Sequence, residues 1–147
     1  MIKMSTKSTY ALRALIDLAR SSPDKPERLS DIAERQSIPL PYLEQIFSKL
    51  KKAGLVQAIR GPQGGYRLSR SMNDITLEDI ISTLEGPIQP LLCSHPEKKS
   101  STCHDVEGCL SRILCNELDG AVNQILKKNT LGRLCGEANK LQGAINV

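Results

Sequence analysis

Residues 41–68 read PYLEQIFSKLKKAGLVQAIRGPQGGYRL, and the periodicity of this stretch decides the fold. Leu43, Ile46, Phe47 and Leu50 fall at i, i+3, i+4 and i+7, the spacing that gathers apolar side chains on one face of a helix. Tyr42, Glu44, Gln45, Ser48, Lys49, Lys51 and Lys52 are left on the other side. Pro41 suits a first helical turn, where its missing N–H costs nothing, and Gly54 suits a left-handed C-terminal cap. The pattern therefore predicts a helix over Pro41–Ala53. Beyond it, Leu55–Arg60 and Tyr66–Arg70 read as strands around Gly61-Pro62-Gln63-Gly64-Gly65. The result is a hairpin with a glycine-rich tip and arginines at its shoulders.

Upstream, Ser5 or Thr6 is placed to cap a first helix. Ala11, Leu12, Leu15, Ile16, Leu18 and Ala19 give that helix a broad apolar face ending near Arg20. Residues 21–26 (SSPDKP) break it. Leu29–Gln36 predicts a short second helix with Leu29, Ile32 and Ala33 turned inward. The brief turn at 37–40 then leads into the 41–53 helix, so the pair forms a helix-turn-helix. Three helices and a hairpin make a winged helix-turn-helix, mainly α with a small β wing. A hydrogen-bonding helix front followed at once by a basic hairpin is how such a fold meets a DNA groove.

Downstream, Thr76 and Asp79 have capping-box spacing at the head of a fourth helix, which Gly86-Pro87 ends. Residues 88–108 form a loop too long to be idle in a compact domain. From Leu110 to Lys128, the residues Leu110, Leu114, Leu118, Ala121, Val122 and Ile125 make a long apolar stripe. A helix beyond a complete small domain has little core of its own to cover, so its expected partner is its twin in a homodimer. The alternative is folding back onto its own winged helix. Thr130 is a candidate cap for a last short helix through Leu134, with a fraying tail after Asn139. The expected organisation is a DNA-binding unit over 1–86, a cysteine-bearing segment over 87–109, and a dimerisation helix with tail over 110–147.

Composition narrows the classes. One Phe, three Tyr and no Trp leave the core of this 147-residue chain to aliphatic side chains. Nothing approaches a membrane span, and the N-terminus lacks a signal-peptide pattern, so a cytoplasmic protein is expected. Residues 1–70 hold 13 Lys and Arg against 6 Asp and Glu, a net of +7, whereas 71–147 hold 7 against 10, a net of −3. A basic front and an acidic rear fit a polyanion met by the front alone. No nucleophile elbow, phosphate loop or metalloprotease motif occurs, so an enzyme is not expected.

Four of five cysteines crowd between Cys93 and Cys115. In a reducing compartment, metal or redox chemistry is expected before a disulfide framework. The intervals of nine, five and five residues lack the tight pairs of structural zinc sites. They suit an iron–sulfur cluster, whose separated irons take ligands from a longer arc. Zinc, thiol redox chemistry and simple burial stay open on spacing alone. His95 and His104 both lie in this segment, with surface solvation the plainer role for each. Cys115, six residues past Cys109, is expected to be buried, and Cys135 to be a small core residue.

Taken together, TKSTYALRALIDLA (Thr6–Ala19), LSDIAERQSIPLPYLEQIFSKLKKAGLV (Leu29–Val56) and RGPQGGYRL (Arg60–Leu68) resemble the Rrf-type winged-helix regulators, nearest to their iron–sulfur cluster assembly regulators. That resemblance implies a bacterial homodimer that binds double-stranded operator DNA, mainly as a repressor. It places Tyr42, Glu44 and Gln45 at base-facing helix positions and Arg60 at the wing position. Lys49 and Lys52 fall at positions suited to the DNA backbone, and Gly64 lies in the tip that approaches the duplex. The resemblance further implies that Cys93, Cys103 and Cys109 hold a 2Fe–2S cluster delivered by cluster assembly machinery. Arg112 stands where a histidine completes the cluster in the assembly regulators, and Thr9 about where an aspartate does so in others. The fourth ligand stays open among His104, Cys115, a carboxylate and a backbone group.

Overall fold

A computed structural model of the chain describes residues 4–21, 25–87 and 110–145. The elements are α1 (Thr6–Arg20), α2 (Leu29–Gln36), α3 (Leu40–Lys52), β1 (Val56–Ile59), β2 (Gly65–Leu68), α4 (Leu77–Glu85), α5 (Leu110–Lys128) and α6 (Leu131–Ile145). The fold class expected from the sequence is the one observed.

Each helix begins and ends for a local reason. Ser5 caps α1 by accepting from the Ser8 N–H at 3.1 Å. In α4, Thr76 and Asp79 satisfy each other's backbone donors in a full capping box. Gly54 takes φ +75° after α3, and the N–H groups of Gly54 and Leu55 return to Lys51 and Leu50. This Schellman closure turns the chain sharply into the wing. Between α2 and α3 the reversal is made by Ser37, which sits in the left-handed region at φ 53°, while Ile38 beside it is buried.

Apolar positions of α1–α4 converge on one core. Leu15, Ile32, Leu43, Ile46, Phe47, Leu50, Ile75 and Ile80 are its largest fully buried side chains, together with Leu131 from α6. The wing is an antiparallel pair in the register Val56↔Leu68 to Ile59↔Gly65. Glu27 adds a third edge through bonds in both directions with Tyr66, at 2.9 and 2.7 Å.

The C-terminal region departs from expectation. The last helix neither stops at Leu134 nor frays after Asn139: α6 runs to Ile145 and packs against α1. Thr130 does cap it, accepting from the Arg133 N–H at 3.3 Å. Leu131 and Cys135 are buried in the main core, and Arg20 of α1 hydrogen-bonds Gln142. The α5–α6 junction is stitched to the segment before α4 by Leu77 N–H to Asn129 O, Leu131 N–H to Ile75 O and Gly132 N–H to Met72 O, all within 2.9 Å. Glycines at 132, 136 and 143 dilute the periodic signal in the sequence, whereas Leu131, Leu134, Cys135 and Ala138 still fall on one helical face.

Candidate nucleic-acid interface

The polar front of α3 is solvent-exposed. Glu44, Gln45, Ser48, Lys49, Lys51 and Lys52 all face outward, opposite the buried Leu43, Ile46, Phe47 and Leu50. Helical spacing puts Pro41, Gln45, Ser48 and Lys52 in one row, with Glu44 and Lys49 on its flanks. Tyr42 is half-buried. Its ring meets Tyr10 edge-on, with centroids 5.7 Å apart at 85°, and the Arg13 guanidinium lies 5.8 Å from the Tyr10 ring centre. Arg13 also hydrogen-bonds the Gln36 carbonyl at the end of α2. The first turn of α3 is therefore braced by α1. The sequence offered no periodic signal for that role of Tyr10 and Arg13.

Arg60 is exposed at the end of β1, where the hairpin leaves the ladder. Gly64 is demanded by the turn. A Cβ there would fall 2.2 Å from the Ile59 carbonyl, and its own N–H donates to Gly61 at 3.0 Å. At Gly65, a Cβ would fall 2.3 Å from the Glu27 carbonyl, so the third edge can approach only a glycine. Phe47 and Tyr66 meet edge-on at 5.2 Å and fix the wing to the back of α3.

Two polar clusters hold the frame behind this surface. Asp17 of α1 receives Arg35 at 2.7 Å and Gln36 at 2.7 Å from α2, and Arg35 also reaches Glu27 at 3.1 Å. Burial pushes the Asp17 carboxyl up, but the hydrogen bonds from Arg35 and Gln36 and the arginine's charge outweigh it, leaving the pKa below its ordinary value. At the other end, Glu85 closes α4 onto the start of α1. It accepts from Ser5 and from the buried Ser8, the latter at 2.7 Å. Those hydroxyls, then the charges of Lys7 and Lys49, hold its carboxyl below the usual range.

Cys93, Cys103 and Cys109, with both histidines, lie outside the described residues. Among the described residues no group of three His, Cys, Asp or Glu could hold a metal ion. Cys115 is half-buried on α5, and Cys135 is a core residue whose thiol is pushed up by burial. No helix among the described residues is long and apolar enough to cross a membrane.

A helix-turn-helix with an outward polar second helix, followed by a basic two-stranded wing, defines the winged helix-turn-helix class. The profile of the Rrf2 family, described as iron-dependent transcriptional regulators, matches residues 4–137, and the chain belongs to that family. It is 38% identical over 138 residues to the HTH-type transcriptional regulator IscR of Photobacterium profundum, covering 94% of this chain and 78% of that protein. Among solved structures it is similar to CymR, the global cysteine regulator of B. subtilis, with a TM-score of 0.77 and 37% identity, covering 93% of this chain and 98% of that one. It is also similar to T. potens IscR, with a TM-score of 0.75 and 36% identity, covering 95% of this chain and 90% of that one. The protein is thus a transcriptional regulator of the Rrf2 family.

Proposed function

We propose that two copies of this chain bind operator DNA as a repressor whose grip is set by an iron–sulfur cluster on Cys93, Cys103 and Cys109. The observation that carries the DNA-binding part is the exposed polar residues of α3 and the wing, basic at Lys49, Lys51, Lys52 and Arg60. Each α3 enters a major groove. Gln45 pairs with adenine, Glu44 accepts from the amino group of cytosine, and Tyr42 stands beside them at the head of the helix. Lys49 and Lys52 neutralise phosphates and set register without reading sequence. Arg60 reads guanine or a narrow minor groove at the wing, and the turn that Gly64 permits brings the tip close to the backbone. Glu44 also repels phosphate wherever its base partner is missing, which makes it a specificity element.

Dimerisation is supported by α5. Its Leu110, Ile113, Leu114, Leu118 and Ile125 are 81, 58, 56, 42 and 59% exposed, an apolar row no described part of the chain covers. The cysteine segment leads directly into that helix. A change of order there would alter the spacing of the two α3 helices, which is how ligand state would couple to DNA affinity. Three thiolates in a polar segment are a soft donor set that fits a 2Fe–2S cluster supplied by the cell's assembly machinery. When bound, the cluster supplies a centre that oxidants or nitric oxide can reach. A second reading, direct thiol or zinc sensing by the same cysteines, draws on the similarity to the oxidised form of Staphylococcus aureus CymR, at 32% identity and a TM-score of 0.70.

Anaerobic purification decides between them. Red-brown protein with stoichiometric iron and sulfide is expected; colourless protein carrying zinc or free thiols would favour the second reading. Duplex binding by the loaded and apo forms then tests the coupling. Equal affinities on every selected operator would remove the sensor while leaving the DNA-binding assignment intact.

A further inference from the structure

The tip, residues 60–64, extends past the last ladder pair, Ile59↔Gly65, and a side chain from outside the hairpin reaches it. Arg28, at the N-cap position of α2, donates from Nη2 to the Pro62 carbonyl at 2.9 Å. We propose that Arg28 is a wing-positioning residue: it holds the tip, and with it Arg60, in the pose that meets DNA. The inference rests on the DNA-binding reading above and adds a residue to it that touches neither a base nor a phosphate.

The arm is built on a fixed base. Glu27, immediately before it, is bonded to Tyr66 through both backbone groups. The Glu27 carboxylate is bound to Arg35, and Arg35 to Asp17 of α1. The close approach of the Glu27 carbonyl to Gly65 leaves no slack between this edge and β2. Arg28 therefore starts from backbone tied to the helical core and ends on the least constrained part of the hairpin. That part needs tying, because Gly61 takes φ +120° and neither it nor Gly64 has a side chain that could pack. A glycine-rich tip left loose loses its freedom at the moment of binding, and a tether removes that cost beforehand. Arg28 itself is exposed and makes no side-chain cap to α2, so its removal leaves the helix start as it is.

The rival role for an exposed arginine beside a helix N-terminus is a direct phosphate contact, and the two differ in what they predict. The probe is a duplex enriched from a randomised library by the full-length wild-type protein, titrated by fluorescence anisotropy at several salt concentrations. For a tether, Arg28→Ala weakens binding by about fivefold, and Arg28→Lys, whose ammonium can reach the same carbonyl, recovers most of it. Amide exchange at Arg60, Gly61, Gln63 and Gly64 quickens in Arg28→Ala and not in Arg28→Lys, with an unchanged melting temperature. In an Arg60→Ala background, removing Arg28 costs nothing further, and the slope of log Kd against log salt stays as it is in Arg60→Ala alone. Losses that add to those of Arg60→Ala, with the slope reduced by about one, would instead make Arg28 a phosphate contact and overturn the proposal. So would unaltered binding by Arg28→Ala. Wild-type protein that enriches no duplex at low salt would remove the DNA-binding reading itself, and this inference with it.

Discussion

Helices α3 and α5 carry the same kind of sequence signal and meet opposite fates. Each has apolar residues at helical spacing along one face. In α3 that face is sealed: Leu43, Ile46, Phe47 and Leu50 are all fully buried. In α5 the corresponding row lies open, while the half-buried side holds Arg112, Cys115, Val122, Asn123 and Leu126, with Asp119 buried among them. Periodicity identifies a face that must be covered, but not what covers it. For α3 the cover is the core of its own chain; for α5 it is the second copy proposed above. The polar side of α3 then becomes the face free to meet DNA.

The largest effect that would break this contrast is on α5. Replacing Leu114 and Leu118 together by Asp removes four apolar side chains from a symmetric interface, at about 1.5–3 kcal/mol each. Sedimentation should then find a monomer with the helical content of wild type and no measurable duplex binding. A variant that remains dimeric would show that the exposed row is not the seam. In α3 the equivalent damage is to folding. Phe47→Ala empties a fully buried position that also supports Tyr66 of the wing. It should cost about 3–5 kcal/mol in urea denaturation, with loss of the cooperative transition at 37 °C as the extreme outcome. A loss below about 1 kcal/mol would mean that the core closes over the gap and α3 is less well anchored than described.

Between these lies the surface itself. Arg60→Ala should weaken binding to a selected duplex by about 1–3 kcal/mol and relax preference at the wing-facing base pairs. Lys52→Ala should weaken all duplexes alike and lower the salt slope by about one. If both variants behaved as phosphate contacts, α3 and the wing would contribute affinity without specificity, and base reading would rest on Gln45 and Glu44 alone.

What the sequence made legible follows the range of the physics. Caps and turns are local, so Ser5, the Thr76–Asp79 box and the Gly54 closure were readable from a few adjacent residues. The buried face of α3 is readable from periodicity, and the ends of α1, α2 and α4 from the caps and breakers that flank them. Longer-range contacts were not. Nothing in the pattern of α1 announces that Tyr10 braces Tyr42, or that Asp17 gathers Arg35 and Gln36. Nothing near Arg28 points thirty-four residues ahead to Pro62. The length of α6 is not legible for a related reason: its apolar face is narrow and interrupted by glycine, and what holds it is α1. The candidate cluster ligands were legible as chemistry only, since thiolate spacing limits the metal without fixing a geometry.

The smallest expected effect concerns the frame shared by α1, α2 and the wing edge. Asp17 is a mostly covered carboxylate whose pKa lies below the ordinary value of 3.8 because Arg35 and Gln36 donate to it. A carboxylate depressed in the folded state contributes stability above its unfolded pKa and loses it as the pH falls through the folded one. Asp17→Asn removes that titration. Because Arg35 is nearly half exposed, solvent screens the pair, and the cost at neutral pH should be about 1 kcal/mol. The gap between wild type and variant should hold from pH 7 to about 5 and narrow steadily below about 4. Urea midpoints measured across that range would check it. A gap that stayed constant down to pH 2 would assign the loss to packing rather than charge. The electrostatic link from α1 through Arg35 to Glu27, on which the anchoring of the wing edge depends, would then contribute nothing measurable.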